Sequence, residues 1–271
     1  MRSDVMDEVA TILRHAAAEA ILPRYRKLLE GDVEEKTPGE VVTVADREAE
    51  QIISPRLTTL LPGSRVVGEE AVATNPSLMD GLDEGQVWLV DPLDGTANFV
   101  AGSSQFSVMV ALLRDGQTMA SWLLDPVSSQ LSVASRGDGA FIDGVRVRAS
   151  TTSLSAQECR GSVLTRFLPE ELKSQVAAGS AGLAEVLPGA KCAGVDYPSI
   201  IKGTQNFLMF WRLLPWDHAP GAFLVEEAGG HVARLDGSEY RPSDQRPGLL
   251  VGQNREVWDV VRSTLLNGHG G

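Results

Sequence analysis

Cysteine is nearly missing from this chain. Only Cys159 and Cys192 occur among 271 residues, which excludes a disulfide framework, and they lack the close spacing of a metal-binding cysteine set. Two free thiols imply a reducing, cytoplasmic setting. Long apolar runs are missing too. No stretch reaches the roughly 18 residues that cross a bilayer, and the opening MRSDVMDEVA mixes acids into what a signal peptide would need to be apolar. No membrane partner is expected. Basic residues are in deficit: 24 Lys and Arg against 36 Asp and Glu leave a net charge of −12. With no Lys/Arg stripe, nucleic acid is not expected as a partner, since phosphate backbones demand one. Several catalytic signatures are also absent: there is no HExxH, no Walker A loop, no GxSxG elbow and no CxxC. Internal repeats, low-complexity tracts and linkers are not found.

What is present suits a large folded core, with 43% hydrophobic and 22% charged residues. Val5, Val9, Ile12, Leu13, Ala16, Ala17 and Ala20 fall at helical spacing and predict a helix over residues 3–29, interrupted at Pro23. A charged loop, EGDVEEKTPGE, follows at residues 30–40. Thr43-Val44-Ala45-Asp46 has the form of a capping box opening a second helix, which Pro62-Gly63 ends. Short apolar runs then predict strands over 65–67, 87–90, 107–113, 118–124, 130–134 and 140–142, the last three as a meander. Beyond about residue 150, strands (162–164, 207–213, 231–235, 249–251) alternate with helices (170–177, from 198, 216–228, 256–265). The closing NGHGG is expected to fray. A helix pair on an antiparallel meander, then a smaller α/β half, predicts a layered α and β fold in two subdomains, 1–148 and 149–271.

The stretch WLVDPLDGTANF, residues 88–99, breaks the pattern of a core strand. An apolar run delivers Asp91 at its end, Pro92 turns the chain, and Asp94 returns beside Asp91. Gly95-Thr96 then opens a helix whose free N–H groups face the same spot. Two carboxylates beside a helix N-terminus suit a hard cation that also holds a phosphate, which is how Mg²⁺ is commonly bound. At average usage of roughly 5–7% per residue type, the string DPxDGT arises by chance in on the order of one such chain in several thousand. Glu69-Glu70 follows another short strand, and Asp217 stands at the start of a helix in LPWDH. Taken singly, these would be a solvated acidic pair and an N-cap.

Together, VVTVAD before a helix, VVGEE, WLVDPLDGTANF and LPWDHAPGAFLVEEAGG resemble the inositol monophosphatase family in order and approximate spacing, over nearly the whole chain. GDGAF after the meander is similar as well. The resemblance implies a Mg²⁺-dependent, lithium-sensitive phosphomonoesterase with an αβαβα layered fold, two or three Mg²⁺ ions and commonly a homodimer. By the same resemblance Glu69, Asp91, the Leu93 carbonyl, Asp94 and Asp217 bind metal, and Asp94, Gly95 and Thr96 meet the phosphate. Thr96 and Asp46, with Glu69, serve the attacking water. Lys36 corresponds to a lysine that family members often carry in a mobile loop near the metals. Physical chemistry supports the set: each like-charged pair at about 4 Å costs roughly 4 kcal/mol at an effective dielectric near 20, so these acids converge only if cations neutralise them.

The substrate end departs from the family. The glutamate usually found some seven residues before the WD aspartate is Phe210 here, followed by Trp211 and Arg212. Gly194-Val195-Asp196-Tyr197 replaces a run of small residues. Asp196, Phe210, Arg212 and His218 are therefore candidates for the substrate pocket, and the expected substrate is a small polyol phosphate or a related phosphorylated metabolite. Histidinol phosphate, fructose 1,6-bisphosphate and 3′-phosphoadenosine 5′-phosphate are rival substrates. A catalytically silent metal- or phosphate-binding regulator is the alternative of another class.

Overall fold

The structure, a computed structural model, describes residues 3–37 and 39–266. The first apolar stripe forms α1 (Ser3–Ala16), prolonged by a wider turn over Ala17–Ile21. The helix expected to reach residue 29 stops there. Pro23 has no N–H to continue the ladder, and the chain turns away with Arg26 in the left-handed region at φ 59°. The loop expected at residues 30–40 is a hairpin instead, in which β1 (Val33–Thr37) pairs antiparallel with β2 (Glu40–Thr43). VEEKT has no apolar alternation, so periodicity could not reveal it. The second helix, α2 (Val44–Leu60), starts where the capping box placed it: Asp46 accepts the Thr43 N–H, and the Thr43 hydroxyl accepts the Ala45 N–H. The tail expected to fray, residues 267–271, lies outside the described residues.

β3 (Arg65–Gly68) runs directly into a short helix, α3 (Glu69–Thr74), so the acidic pair after the strand opens a helix. β4 (Gln86–Asp94) lies parallel to β3. After α4 (Thr96–Val100) come β5 (Ser107–Arg114), β6 (Gln117–Leu124), β7 (Leu131–Ser135), β8 (Gly139–Ile142) and β9 (Val145–Val147). They continue as an antiparallel meander and complete a seven-stranded sheet in the order β3 to β9. The second part contains β10 (Arg160–Val163), α5 (Glu170–Ser180), β11 (Glu185–Leu187), α6 (Ala193–Ile201) and β12 (Phe207–Phe210). It closes with α7 (Pro215–Glu227), β13 (His231–Arg234), β14 (Leu249–Gly252) and α8 (Arg255–Leu266). Its sheet has the order β11-β10-β12-β14-β13. β9 and β11, three residues each, are too short for a period to show. α6 begins five residues before the expected Pro198, which the helix accommodates.

The layers follow from which faces are apolar. Trp88 and Val90 of β4 and Trp122 of β6 pack against α1 and α2 on one side of the large sheet. Val87 and Leu89, pointing the opposite way, pack with Trp216 and Ala219 of α7. α6 and α7 fill the space between the two sheets, burying Tyr197, Phe223 and Leu224. α8 and α5 cover the outer face of the smaller sheet through Trp258, Val261 and Val176. The result is the expected αβαβα order. A strand buried on both faces needs no alternation, which is why VWLV reads as a continuous apolar run.

Close approach of α6 and α7 depends on Gly221, where an added Cβ would lie 2.1 Å from the Tyr197 ring. Gly221→Ala is expected to cost about 2 kcal/mol by overpacking, seen as a lower urea midpoint. An unchanged midpoint would contradict this packing of the helix that carries Asp217.

Candidate metal centre

β3 and β4 end at one level, and each is followed or closed by an acid. Gly68 pairs with Val90, so Glu69 and Asp91 follow as neighbours across two parallel strands, whose spacing is about 4.8 Å. Beyond Asp91 the ladder to β5 breaks: Asp91 faces Met109 and Asp94 faces Ser107, two residues against one between them. Pro92 cannot donate to the ladder, and the bulge turns Asp94 back into the site. Asp217 arrives from the other part of the chain. Pro215 opens α7 and places Asp217 in its first turn, where the helix dipole favours a negative charge.

One carboxylate oxygen from each of Glu69, Asp91 and Asp217 lies within 4.8 Å of the other two. Among the described residues this is the one such group of acidic, histidine and cysteine side chains. Burial pushes the Asp91 and Asp217 carboxyls well above the usual carboxylate range, and the charges of Glu69 and Asp94 push both further. Asp94 stands beside the three rather than among them. Its Oδ2 accepts from the Gly194 N–H at 2.7 Å, the Cys192 thiol at 3.0 Å and the Ser107 hydroxyl at 3.4 Å. Burial raises Asp94 to about 6, against the opposing pull of the Gly194 and Cys192 hydrogen bonds. Lys36, on β1 rather than in a loop, donates to Glu69 at 3.1 Å and to Glu70 at 2.5 Å. Burial works against its ammonium, but Glu69 and Glu70 together push it up.

Asp46 is 1% exposed. Its Oδ2 completes the capping box, and its Oδ1 lies 2.9 Å from the Thr96 hydroxyl. That hydroxyl is also 2.9 Å from the Leu93 carbonyl. It has one proton and serves one acceptor at a time. Burial raises Asp46 to about 7, opposed by the hydrogen bonds from Thr43 and Thr96. Gly95 precedes α4 in the left-handed region at φ 84°, and a Cβ there would meet the Gln105 carbonyl at 2.8 Å. Gly95 thus permits a tight turn from Asp94 into the first N–H groups of α4, which have no helical acceptor.

The substrate-end candidates separate. Phe210 and His218 lie in the core, 3% and 4% exposed, and do not face the carboxylates. The Phe210 ring stacks on Tyr197 and meets His218 edge-on. His218 Nε2 is 3.0 Å from the Arg212 carbonyl, and Nδ1 is 3.0 Å from the Tyr197 hydroxyl. A carbonyl only accepts, so Nε2 carries the proton and Nδ1 accepts from Tyr197. Burial lowers the imidazole to about 3, which keeps it neutral. Asp196 is buried too, its Oδ1 accepting the Ala190 N–H at 2.9 Å. Burial raises its carboxyl to about 7. It borders a hollow of about 430 Å³ that Gln105 and Ser199 also line. Arg212 alone is exposed, paired with Glu40 and stacked 4.1 Å over the Phe167 ring.

Residues not anticipated also touch the site. Cys192, Gly194 and Ser107 hold Asp94, and no local pattern in their sequence announces it. Glu50 had a signal. It lies four residues after Asp46 on the buried face of α2, in line with Ile53 and Leu57, where an acid is out of place.

The donor set fits a divalent cation. Its oxygens are hard ligands of the type Mg²⁺ and Ca²⁺ take, they repel one another without one, and three lie close enough for one ion to reach. A family model described as "Inositol monophosphatase family" matches residues 2–264. A Thermotoga maritima protein named fructose-1,6-bisphosphatase/inositol-1-monophosphatase is 32% identical over 219 residues, 77% of either chain. A Pseudomonas aeruginosa protein named Nus factor SuhB is 32% identical over 270 residues, covering 96% of this chain and 95% of its own. Among solved structures, the Thermotoga maritima IMPase superposes with a TM-score of 0.80 at 25% identity, over 97% of this chain and 96% of that one.

Raised carboxylates bind more protons in the folded than in the unfolded state between their ordinary values near 4 and their folded values, about 6 for Asp94 and about 7 for Asp46. Their stabilising contribution is therefore full below pH 4 and is lost as pH rises toward 7. The metal-free protein should melt at lower temperature at pH 7.5 than at pH 5. Mg²⁺ at about 100 times its dissociation constant should return about 2.7 kcal/mol at the higher pH. A melting temperature indifferent to Mg²⁺ at pH 7.5 would contradict the centre.

Proposed function

Because this chain belongs to the inositol monophosphatase family, we propose that it is a Mg²⁺-dependent phosphomonoesterase acting on a small polyol phosphate or a related phosphorylated metabolite. The observation that carries the reading is the group of Glu69, Asp91 and Asp217 beside the Gly95-Thr96 turn. These three carboxylates would hold the ions, with Asp94 and the Leu93 carbonyl completing the set as the family implies, for two or three ions in all. Bound there, divalent ions would supply Lewis acidity toward water and offset charge on phosphoryl oxygens.

The chain's own part is positioning and proton handling. The first N–H groups of α4 meet phosphate oxygens, since they are directed donors without a helical acceptor. When the Thr96 hydroxyl donates to Asp46 Oδ1, its lone pairs are free to accept from a water. The water's proton then passes to Thr96 Oγ1 as the threonine proton moves to Asp46. An acid near 7 suits that exchange at neutral pH. No nucleophilic side chain is required, in keeping with the missing hydrolase signatures.

The residues lining the substrate end favour something other than strict myo-inositol specificity. Phe210 stands where the family usually offers a glutamate, and it is turned into the core. The Thermotoga relative's name already spans two phosphate substrates, so fructose 1,6-bisphosphate belongs beside inositol, histidinol and adenosine phosphates in a test panel. The partner proposed is a small metabolite in the cytoplasm rather than nucleic acid, supported by the net charge of −12 and the two free, buried thiols. Among the described residues, no helix is long and apolar enough to cross a membrane. The intact acidic set speaks against a silent regulator.

Phosphate release from that panel, with and without Mg²⁺, tests the proposal. At least one substrate should turn over only with the ion, and no release from any would remove the reading. Asp94→Asn should lower kcat by about 10²–10³-fold while the protein stays folded, and a near-normal rate would contradict its role. Lithium at millimolar concentration should inhibit; insensitivity would count against a family-type metal arrangement.

A further inference from the structure

We propose that Glu50, which is not among the metal ligands, is the positioning residue that sets Glu69 for metal binding. This inference rests on Glu69 being a ligand, as proposed above. Glu69 is the first residue of α3, and the residue before it, Gly68, has no side chain with which to cap the helix. The cap comes from α2 instead. Glu50 Oε2 accepts the Glu70 N–H and Oε1 accepts the Ala71 N–H, both at 2.9 Å. A carboxylate bridging two N–H groups fixes position and direction together, and it opposes the positive end of the helix. With Glu70 and Ala71 held, the first turn of α3 is pinned to α2.

Gly68 and Glu50 are matched. A Cβ on Gly68 would lie 2.4 Å from the Glu50 carboxylate. The glycine is not needed for its backbone, which is extended at φ −99° and ψ 151°. It is needed because the carboxylate occupies the space. Glu50 is 7% exposed, so it is held in place rather than free to swing. The same helix carries Asp46, one turn earlier on the same face. α2 thus contributes to the centre twice: Asp46 toward Thr96 and Glu50 toward the segment bearing Glu69. A buried carboxylate beside the charges of Glu70 and Glu69 is unfavourable, and two charge-assisted hydrogen bonds to α3 are what hold it there.

The test is Mn²⁺ binding to the full chain, measured by calorimetry with Mn²⁺ alone, beside the melting temperature of the metal-free protein. Three variants separate orientation from charge. Glu50→Asp keeps the charge but is one methylene too short to reach both N–H groups. Gly68→Ala keeps Glu50 entire and displaces its carboxylate. Glu50→Gln keeps the size and removes the charge. Glu50→Asp and Gly68→Ala should each weaken Mn²⁺ binding by about 10-fold or more, as should Glu50→Gln. A role confined to stability would lower the melting temperature and leave the dissociation constant of the folded variants within twofold of the unaltered chain, which would overturn the inference. The same holds if Glu50→Gln alone weakens binding, for then charge and not position is what matters. Should Glu50→Asp fail to fold, Gly68→Ala decides the question. Absence of Mn²⁺ binding by the unaltered chain would overturn the metal centre itself and this inference with it. Binding by the unaltered chain that the variants match would overturn the Glu50 role alone.

Discussion

Repulsion among carboxylates is the constraint around which this molecule is arranged. Glu69 and Asp91 are held together because β3 and β4 are parallel and in register, Gly68 beside Val90. Asp217 joins them from the first turn of a helix wedged between two sheets. At distances of a few ångströms each such pair opposes folding by roughly the value of a good buried side chain. Burial compounds the opposition, as the raised Asp91 and Asp217 carboxyls show. The large apolar layers on either side of β4 supply the rigidity that makes the strain tolerable.

The supporting contacts spread that load over both parts of the chain. Asp94 belongs to the seven-stranded sheet, yet its Oδ2 is held by Gly194 and Cys192 at the start of α6. Asn98, two residues beyond Thr96, donates to the Ala190 carbonyl in the same second part. The Arg166 guanidinium reaches the Gly39 carbonyl of the hairpin that carries Lys36. Each bond crosses between the halves near the acids. The centre is therefore a junction, and its geometry depends on how the two sheets seat against α6 and α7.

His218 illustrates how context overrides adjacency. It neighbours Asp217 in sequence, which made it a candidate for the pocket. One helical step rotates a side chain by about 100°, and that step takes His218 from the acidic cleft into the apolar layer between Tyr197 and Phe210. Phe210 shares that fate, and Arg212, two residues on, reaches the surface instead. The hairpin over residues 33–43 was hidden for a different reason: its first strand, VEEKT, is charged and carries no apolar alternation, and burial is confined to Val42 and Thr43 at the end of the second. α3 was hidden because its six residues are shorter than two helical turns and its cap lies in another element.

Local order therefore carried much of the outcome. The capping box at Thr43 and Asp46, the apolar strand ending in Asp91-Pro92, and the turn through Gly95 are read from adjacent residues because their physics is adjacent: a side chain meeting its own backbone, a missing N–H, a missing Cβ. The acids and their order along the chain were visible in the same way. Their convergence was implied by the family resemblance and by no adjacent stretch, because register between β3 and β4, the wedge of α7 and the reach of Glu50 to α3 are contacts between segments 20 or more residues apart. Such contacts are selected by burial of whole faces, a property that no short stretch possesses.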